Sequence, residues 1–398
     1  MSNLNRLHFL FEVPHGLEKI ALADVEESLL HSLPCKACLI PEDGKGRLHM
    51  LCCTNELVST VDHIKSMQPS SVQSVTLVAS MVDIPLEIFK DGKKTCQFIN
   101  DATLKTDWHP SIPAVTGGRA GPLKFRATFR KEELKHSERS QELAGEVGFT
   151  FSKIFPDWKV DLTEYDCQVM AYCLQLSDSR LRELVQQTVE EPDPVVLVLG
   201  LAIQMPDVRY RNRKYFGRTS MNPCIAFCLT RLADPQPGQV ILDMCCGTGT
   251  IPIEGAIRYP HSWWIGSEVR PDNVCEKARG NTIHSNLRNV ELLLGDGRKL
   301  CIRNGVVDIV ISDWPWGQRE GTLSAIQKLY PKFMREMGRV LKINGKAYIV
   351  SQGKKLMNAV LAYGWCAAMW SVDSVLPIKI GGHRVTLYIL SRKMNNGK

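Results

Sequence analysis

The clearest structural signal in this sequence is the stretch Val240-Ile-Leu-Asp-Met-Cys-Cys-Gly-Thr-Gly-Thr-Ile-Pro-Ile-Glu-Gly-Ala-Ile257. A short apolar run ends in an acid, a turn of small residues follows, and a second apolar run has the character of a helix. Glycines in a strand-to-helix turn let the backbone approach a ligand closely, and the helix N-terminus favours negative charge. The stretch therefore predicts a nucleotide-type binding site between a strand and a helix.

The same turn favours one cofactor over another. A dinucleotide-binding fingerprint requires a third glycine or an alanine, and Pro252 stands at that place, which disfavours NAD. Asp243 can instead meet the cationic amino acid end of S-adenosylmethionine. Gly247 and Gly249 would let that cofactor approach the backbone, and the small Cys245 fits the turn. We therefore predict S-adenosylmethionine as the cofactor.

Two further apolar runs lead to acids. The run 263–268 ends in Glu268, and an acid at the second strand end can hold the two ribose hydroxyls. The run 290–294 leads to Asp296 and Gly297, where Asp296 can accept a hydrogen bond from the adenine amine. A single strand followed by an acid is more often solvated surface than a site. Successive strand ends with acids in suitable roles, however, indicate a methyltransferase-type nucleotide site.

A fourth apolar run, 306–311, precedes Asp313-Trp-Pro-Trp-Gly317. The Asp313 carboxylate and the Pro315 carbonyl can each accept a hydrogen bond from the exocyclic amine of a nucleobase. These two bonds would draw the nitrogen toward a tetrahedral shape and free its lone pair for methyl transfer. Trp316 can stack on the base, a contact worth about 1–3 kcal/mol. The alternative is a buried strand followed by an ordinary turn.

Strand-like and helix-like runs alternate through this half of the chain. Such alternation predicts a mostly parallel sheet with helices on both faces, and ligands then collect at the carboxyl ends of the strands. The run 385–390 would be the final strand, antiparallel and at the edge of the sheet. The predicted fold class is α/β, with a Rossmann-like C-terminal half.

Two basic clusters could bind nucleic acid, although such clusters are often only solvated faces. Phosphate contacts would fix the register of the polymer while the pocket selects the base. Two tyrosines and Phe216 are interleaved with the second cluster and offer stacking surfaces. The cations of the first cluster are Lys124, Arg126, Arg130, Lys131, Lys135 and Arg139, and those of the second include Arg211, Arg213 and Lys214.

Residues 221–393 resemble a class I S-adenosylmethionine-dependent methyltransferase domain of the amino-methylating type, and in particular the THUMP-domain RNA guanine-N2 methyltransferases. The resemblance is carried by the motifs 243–254 and 313–317 and by the late strand pair around residues 380–390. In the N-terminal half, the segments 123–129, 135–137 and 158–162 resemble the THUMP module, an RNA-binding fold. The first 65 residues match more faintly.

The resemblance implies an α+β, ferredoxin-like or THUMP RNA-binding half before the methyltransferase domain. We predict an N-terminal α/β part at 1–66, a THUMP-like domain at 67–190, a strand and basic connector at 191–220, and the methyltransferase domain at 221–398. The motif departs from the family pattern at two positions. Trp314 stands where relatives carry a smaller aliphatic residue or proline, and Trp316 stands where they carry Phe or Tyr. Trp314 would either narrow the pocket or pack beneath it.

The implied activity is formation of N2-methylguanosine in RNA, with transfer RNA as the substrate. The alternatives are a small nuclear RNA as substrate, adenine-N6 methylation, and a non-catalytic RNA-binding protein with a methyltransferase shell. Several members of the family require a small zinc-binding activator protein that covers an apolar face of the catalytic domain. The resemblance therefore implies RNA and, in addition, this activator subunit as partners.

Composition agrees with an intracellular RNA-modifying enzyme. The 398 residues suit two or three domains, and the formal net charge of +7 favours a polyanionic partner. No apolar run reaches the roughly 18 residues of a membrane-spanning helix, and the start lacks the pattern of a secretion signal. Among fourteen cysteines the only C-x-x-C is Cys35-Lys-Ala-Cys38, so we predict no metal site. The expected location is the cytoplasm, with the nucleus as the alternative.

Overall fold

A computed structural model of the chain describes residues 6–33, 35–119, 121–316 and 323–394. The chain divides into two compact units by its internal contacts. One unit comprises Met1–Val13 and Leu22–Met205, and the other comprises Pro14–Ala21 and Pro206–Lys398. Within the described ranges, no helix combines the length and apolar character needed to cross a membrane.

The first unit is built from eight strands and from helices that connect them. In chain order its elements are β1 Arg6–Glu12, the part of α1 Glu18–Ser28 from Leu22 onward, β2 Ala37–Glu42, β3 Arg47–Cys53, α2 Leu57–Met67, β4 Ser74–Ile84, α3 Leu86–Phe89, α4 Gly92–Lys105, α5 Ser111–Thr116, β5 Lys124–Lys131, α6 Ser140–Ile154, β6 Lys159–Val160, β7 Cys167–Leu174, α7 Ser179–Arg182 and β8 Val195–Ile203.

A single sheet with the strand order β2-β3-β1-β4-β8-β7-β5-β6 runs through this unit. Strands β1 to β4 with α1 and α2 follow the β-α-β-β-α-β order of a ferredoxin-like motif. Strand β8 lies between β4 and β7, so the strand that the sequence analysis placed in the connector belongs to this sheet. Its nearly uninterrupted apolar sequence suits a strand with both faces covered.

One face of the second half of this sheet is covered by α6. The aromatic rings of Phe125 on β5 and Phe151 on α6 pack 5.0 Å apart, and Trp108 meets Phe151 edge to face at 5.3 Å. Because side chains alternate along a strand, Lys124, Arg126 and Arg130 of β5 point to the opposite face from Phe125. The alternation that buries Phe125 therefore also places these three cations of the first cluster on one face.

The second unit contains seven strands. In chain order its elements are α8 Pro223–Ala233, β9 Val240–Asp243, α9 Thr250–Arg258, β10 Trp263–Glu268, a π-helical segment Asp272–Ala278 that continues into α10 Arg279–His284, β11 Val290–Leu294, β12 Val307–Asp313, α11 Leu323–Val340, β13 Leu341–Ser351, α12 Lys354–Leu361, α13 Gly364–Met369, β14 Trp370–Ile380 and β15 His383–Arg392.

The second sheet has the order β11-β10-β9-β12-β13-β15-β14, and its first five strands are parallel. Its two faces are covered by separate apolar cores, one containing Phe227 of α8 and the other containing Phe333 of α11. The predicted α/β fold class, with a mostly parallel sheet and helices on both faces, is confirmed.

The end of the sheet differs from the prediction in one respect. Strand β15 is antiparallel to β13 as predicted, but it lies inside the sheet because β14 pairs along its other side. Gly381 and Gly382 connect β14 to β15 with positive φ angles of 56° and 82°, as a tight hairpin turn requires. The short glycine turn thus brings a longer strand, β14, to the edge.

Candidate functional site

Three of the predicted acids terminate neighbouring strands of the second sheet. Glu268 ends β10, Asp243 ends β9 and Asp313 ends β12, and these strands are adjacent in that order. Along the chain, β10 and β11 are added one after the other on one side of β9. The next strand, β12, then pairs with the opposite side of β9. Ligands of open α/β sheets bind at such a reversal, outside the carboxyl ends of the strands.

The Cys245 thiol lies in the turn that follows Asp243. Burial raises the pKa of this thiol, and the charges of Asp243, Glu268 and Asp313 raise it further. A negative thiolate would therefore be repelled by all three carboxylates. Cys245 stays neutral and acts as a small residue of the turn.

Asp243 is the most buried of the three acids, with 2% of its surface exposed. Its Oδ1 accepts hydrogen bonds from the Cys245 backbone N–H at 3.1 Å and from the Ser312 hydroxyl at 2.7 Å. Burial raises the pKa of Asp243 to about 7, although both hydrogen bonds act in the opposite direction. A cation beside this carboxyl group would favour its ionised form.

The glycine turn leaves room next to its backbone. Gly247 has a φ of 55°, and a Cβ atom built on it would meet no atom within 4 Å. Gly249 has a φ of 84°, and its Cβ would lie 3.3 Å from the Ala278 side chain, so this glycine lets the helix pack closely. The open space therefore lies at Gly247, where the predicted ligand would approach.

Glu268 is tied to the same turn. One carboxylate oxygen accepts from the Gly247 backbone N–H and the other from that of Arg270, each at 2.9 Å. A carboxylate has about four lone-pair sites, so these bonds leave acceptor capacity for further donors. Glu268 can thus hold hydroxyl groups without giving up its contacts to the protein.

Asp296 and Gly297 lie beyond the end of β11, and both have contacts within the protein. The Arg298 side chain hydrogen-bonds the Asp296 carboxylate at 2.8 Å and lowers the pKa of that group. A Cβ on Gly297 would lie 3.0 Å from the Phe333 ring. Close packing alone therefore explains a glycine at this position.

At the end of β12, the predicted base-binding groups already have partners. The Trp316 indole N–H donates to Asp313 Oδ1 at 2.9 Å, and the Tyr330 hydroxyl donates to the Pro315 carbonyl at 3.1 Å. The Tyr330 hydroxyl also lies 2.9 Å from Ser351 Oγ. Tyr330 is not among the residues predicted from the sequence, and Gly317 of the motif lies outside the described residues.

The two tryptophans of the motif have different environments. Trp314 is buried, and its ring meets those of Tyr330 and Phe333 edge to face at 5.1 and 5.2 Å. Trp316 is partly exposed, and its ring lies 5.8 Å from that of His383. Of the two alternatives for Trp314, the structure shows the second, in which it packs beneath the site.

Two arginines of the second basic cluster have contacts inside the domain. Arg211 pairs with the buried Glu254 at 2.8 Å. Arg213 is 4% exposed, and its Nη1 donates to the Met221 carbonyl at 2.7 Å and to Thr250 Oγ1 at 2.8 Å. Burial lowers the pKa of Arg213 to about 10. These arginines attach the connector to α8 and α9, whereas Lys214 of the same cluster is exposed.

Acids of the first unit hold two cations of the first basic cluster. The Lys124 ammonium lies 2.9 Å from Asp161, which raises the pKa of Lys124, and Arg130 forms an ion pair with Glu12. Exposed ion pairs are worth little, so a polyanion could compete for these cations.

The remaining cations of the first cluster differ in the contacts that their side chains make with the protein. The Arg126 guanidinium lies 4.0 Å above the centre of the Tyr165 ring and donates to Gln168 at 3.1 Å. Lys135 and Arg139 are exposed at the start of α6, and their side chains have no acidic partner within the described part of the chain. They are the most available cations of the first cluster.

The fold and the row of acids define a class I methyltransferase domain. Residues 210–368 match the family model described as UPF0020: RMKL-like, methyltransferase domain. The crystal structure of TrmN from Thermus thermophilus superposes with a TM-score of 0.67 at 20% identity, covering 97% of this chain and 99% of that one. At this level of identity, the superposition with TrmN shows a shared fold.

Sequence relatives carry more specific names. The human protein named tRNA (guanine(6)-N(2))-methyltransferase THUMP3 is 30% identical over 316 residues, which are 76% of this chain and 56% of that protein. The bovine U6 snRNA (guanine-N(2))-methyltransferase THUMPD2 is 30% identical over 225 residues, 56% of this chain and 40% of that protein. The chain spans about half the length of the relatives named THUMP3.

These matches confirm the resemblance that the motifs indicate. Residues 210–368 match the UPF0020 methyltransferase family model, and the chain is similar in sequence to the guanine-N2 methyltransferases named THUMP3 and THUMPD2. The family match also supports S-adenosylmethionine as the cofactor. In the residues that the structure describes, no three histidine, cysteine, aspartate or glutamate side chains are grouped to hold a metal ion.

Proposed function

We propose that this protein transfers the methyl group of S-adenosylmethionine to the exocyclic N2 of guanosine in RNA, with transfer RNA as the substrate. The observation that carries the proposal is the position of Asp243, Glu268 and Asp313 at the carboxyl ends of three adjacent parallel strands. The names of the relatives support RNA as the substrate, and transfer RNA in particular.

The residues at β9 and β10 fit this cofactor, which supplies an electrophilic methyl group on a sulfonium sulfur when bound. Open space beside Gly247 gives a ligand access to the backbone. Asp243 is a buried carboxyl group whose ionised form a cationic amino group would stabilise. Glu268 has spare acceptor sites for ribose hydroxyls. Asp296, two residues beyond β11, would accept from the adenine amine.

The residues at the end of β12 would hold the base. Asp313 and the Pro315 carbonyl each accept one N–H of the guanine amine, and Trp316 offers its ring for stacking. The Pro315 carbonyl already accepts from Tyr330, which fixes its direction, and its second lone pair remains for the substrate. Asp313, or a water molecule beside it, takes the proton that the nitrogen loses on methylation. Alignment of the two reactants can contribute roughly 7–11 kcal/mol to catalysis.

The exposed edge of the second sheet supports a protein partner. Strand β11 is one of the two edge strands of this sheet, and Leu294 at its end is largely exposed, with Leu292 and Leu293 partly so. An edge strand presents backbone hydrogen-bonding groups that another strand can pair with. We propose this edge as the site of the small zinc-binding activator. A cytoplasmic location stays a prediction.

Methyl transfer to defined RNAs tests the proposed function. The purified chain, with and without the activator, is incubated with labelled S-adenosylmethionine and separate fractions of transfer RNA and small nuclear RNA, and the digested nucleosides are analysed by mass spectrometry. We expect N2-methylguanosine from transfer RNA. Labelled N6-methyladenosine would instead identify an adenine enzyme. Binding of the cofactor without any labelled nucleoside in either condition would identify a non-catalytic protein.

The first basic cluster gives a second prediction, on RNA binding. The double substitution Lys135→Ala and Arg139→Ala is expected to weaken RNA binding and to reduce the slope of log K against log salt by roughly one to two, because fewer counterions are released. A filter-binding series across salt concentrations measures this slope. The matched control is Arg303→Ala with Lys346→Ala, which removes two exposed cations of the second unit, one before β12 and one in the middle of β13. Equal slopes for the two double variants would show that Lys135 and Arg139 lie on a solvated face.

A further inference from the structure

The connector before α8 lies along the helix formed by residues 272–284. The Ser285 hydroxyl donates to the Asn212 carbonyl at 2.6 Å. Further along, the backbone N–H groups of Lys214 and Tyr215 donate to Asn281 Oδ1 at 2.9 and 2.8 Å, and the Tyr215 ring lies against Gly280. The connector thus has a fixed path on the surface of the second unit.

Asn281 joins this connector to the glycine turn. Its side chain is fully buried, and its Nδ2 donates to the Tyr215 carbonyl at 2.9 Å and to the Thr248 carbonyl at 3.1 Å. One amide group therefore uses two acceptor and two donor sites to connect two segments. Because Thr248 lies between Gly247 and Gly249, the connector and the cofactor turn are held together.

Aromatic rings on the connector point outward. Tyr210 is 60% exposed, Tyr215 43% and Phe216 37%. The rings of Tyr210 and Phe216 meet edge to face at 5.2 Å, and the buried Arg213 guanidinium lies 5.1 Å from the centre of the Phe216 ring. The Arg209 guanidinium also lies 6.0 Å from the centre of the Tyr210 ring, yet each of these three residues keeps more than a third of its surface exposed.

Exposed cations accompany these rings. Lys214 and Arg218 on the connector and Arg279 on the adjacent helix are exposed, and their side chains have no acidic partner among the described residues. Together with the three rings they form one surface, which we call the connector platform. Its residues are Tyr210, Lys214, Tyr215, Phe216, Arg218 and Arg279.

We propose that the connector platform binds single-stranded nucleotides of the RNA substrate, with bases stacked on its rings and phosphates beside its cations. Unpaired cations favour a polyanion, and exposed rings accept bases of any sequence because every base has a π face. The inference rests on the proposed function and deepens it, since it locates where unpaired nucleotides next to the target guanosine are held. The contacts of Asn281 place this platform at a fixed position relative to the cofactor turn.

Binding of a fluorescein-labelled dodecauridylate, measured by anisotropy at constant salt, tests the proposal. Tyr215→Leu keeps an apolar side chain against Gly280 but removes the π face. We expect it to weaken binding by roughly 5- to 150-fold, which corresponds to the loss of one stacked base. Tyr215→Phe should retain wild-type affinity. Thermal melting of each variant checks that the fold is kept.

The matched control is Tyr363→Leu, which removes another exposed tyrosine of the same unit and should leave binding unchanged. The proposal is overturned by any of three results: no binding by the intact wild-type chain, equal binding by wild type and Tyr215→Leu, or equal weakening by Tyr215→Leu and Tyr363→Leu. Methyl transfer, assayed in parallel, separates the two ideas. Tyr215-dependent binding without methyl transfer to any RNA would contradict the proposed function, but it would still support nucleotide binding by the connector platform.

Discussion

Asp313→Ala is expected to abolish methyl transfer to guanosine while S-adenosylmethionine still binds. The substitution removes the acceptor that orients the amine and takes up its proton, whereas Asp243 and Glu268 remain in place. Loss of a positioned proton acceptor costs roughly 10²–10⁴-fold in rate, and loss of orientation adds to this. Single-turnover transfer to the preferred RNA, combined with calorimetric cofactor titration, measures both properties of the same variant.

Asp373→Ala serves as the control for this experiment, because it removes an exposed acid on β14 whose carboxylate accepts from Ser391. It should leave the transfer rate unchanged. If Asp313→Ala retained near wild-type turnover, Asp313 would have no catalytic role. If Asp313→Ala lost cofactor binding as well, the strand end of β12 would belong to the cofactor site rather than to the base site.

Cofactor affinity is expected to depend on Glu268 and, in a pH-dependent way, on Asp243. Glu268→Ala removes a charged hydrogen-bond acceptor worth about 1.5–3 kcal/mol, which corresponds to roughly 10- to 150-fold weaker binding. Asp243 has a folded-state pKa of about 7, so it is mostly protonated below that pH. A cationic cofactor requires the ionised form, so the dissociation constant should fall about tenfold per unit as pH rises toward 7 and level off above it.

Calorimetric titration between pH 5.5 and about 8.5 checks the pH dependence, with the upper and lower limits chosen roughly 1.5 units from the expected pKa. Asp243→Asn should weaken binding at high pH and remove the slope below pH 7. Unchanged affinity for both Asp243→Asn and Glu268→Ala would contradict the assignment of these acids to the cofactor. A slope that persists in Asp243→Asn would assign the titration to another group.

Much of the site could be predicted because parallel strands bring their carboxyl ends to one edge. Asp243, Glu268 and Asp313 each end an apolar run, so local pattern was enough to place them together. The contacts of Tyr330 and Asn281 could not be predicted in this way. Each depends on a partner far away in the chain, and neither position interrupts the helical pattern around it.

The basic clusters show a second limit of sequence reasoning. Charge alone does not distinguish an exposed cation from one that binds protein oxygens, and Arg213 looks like its neighbours in the sequence although it is buried. Similarly, a run such as Val195–Ile203 could be recognised as a buried strand, but not as a member of the first sheet. Its neighbours, β4 and β7, are set by long-range pairing.

The hydrogen bond from Trp316 to Asp313 gives the protein an internal competitor for its own substrate. The indole N–H occupies one oxygen of the carboxylate that the guanine amine would use, so a base enters by replacing one donor with another. Hypoxanthine, which lacks the amine, has no donor to offer in exchange. A site that exchanges hydrogen bonds in this way rejects an analogue without the donor far more strongly than it would by shape alone. Inosine in place of the target guanosine should therefore be excluded from the pocket, so an RNA that carries it should bind no more tightly than the same RNA without a base at that position.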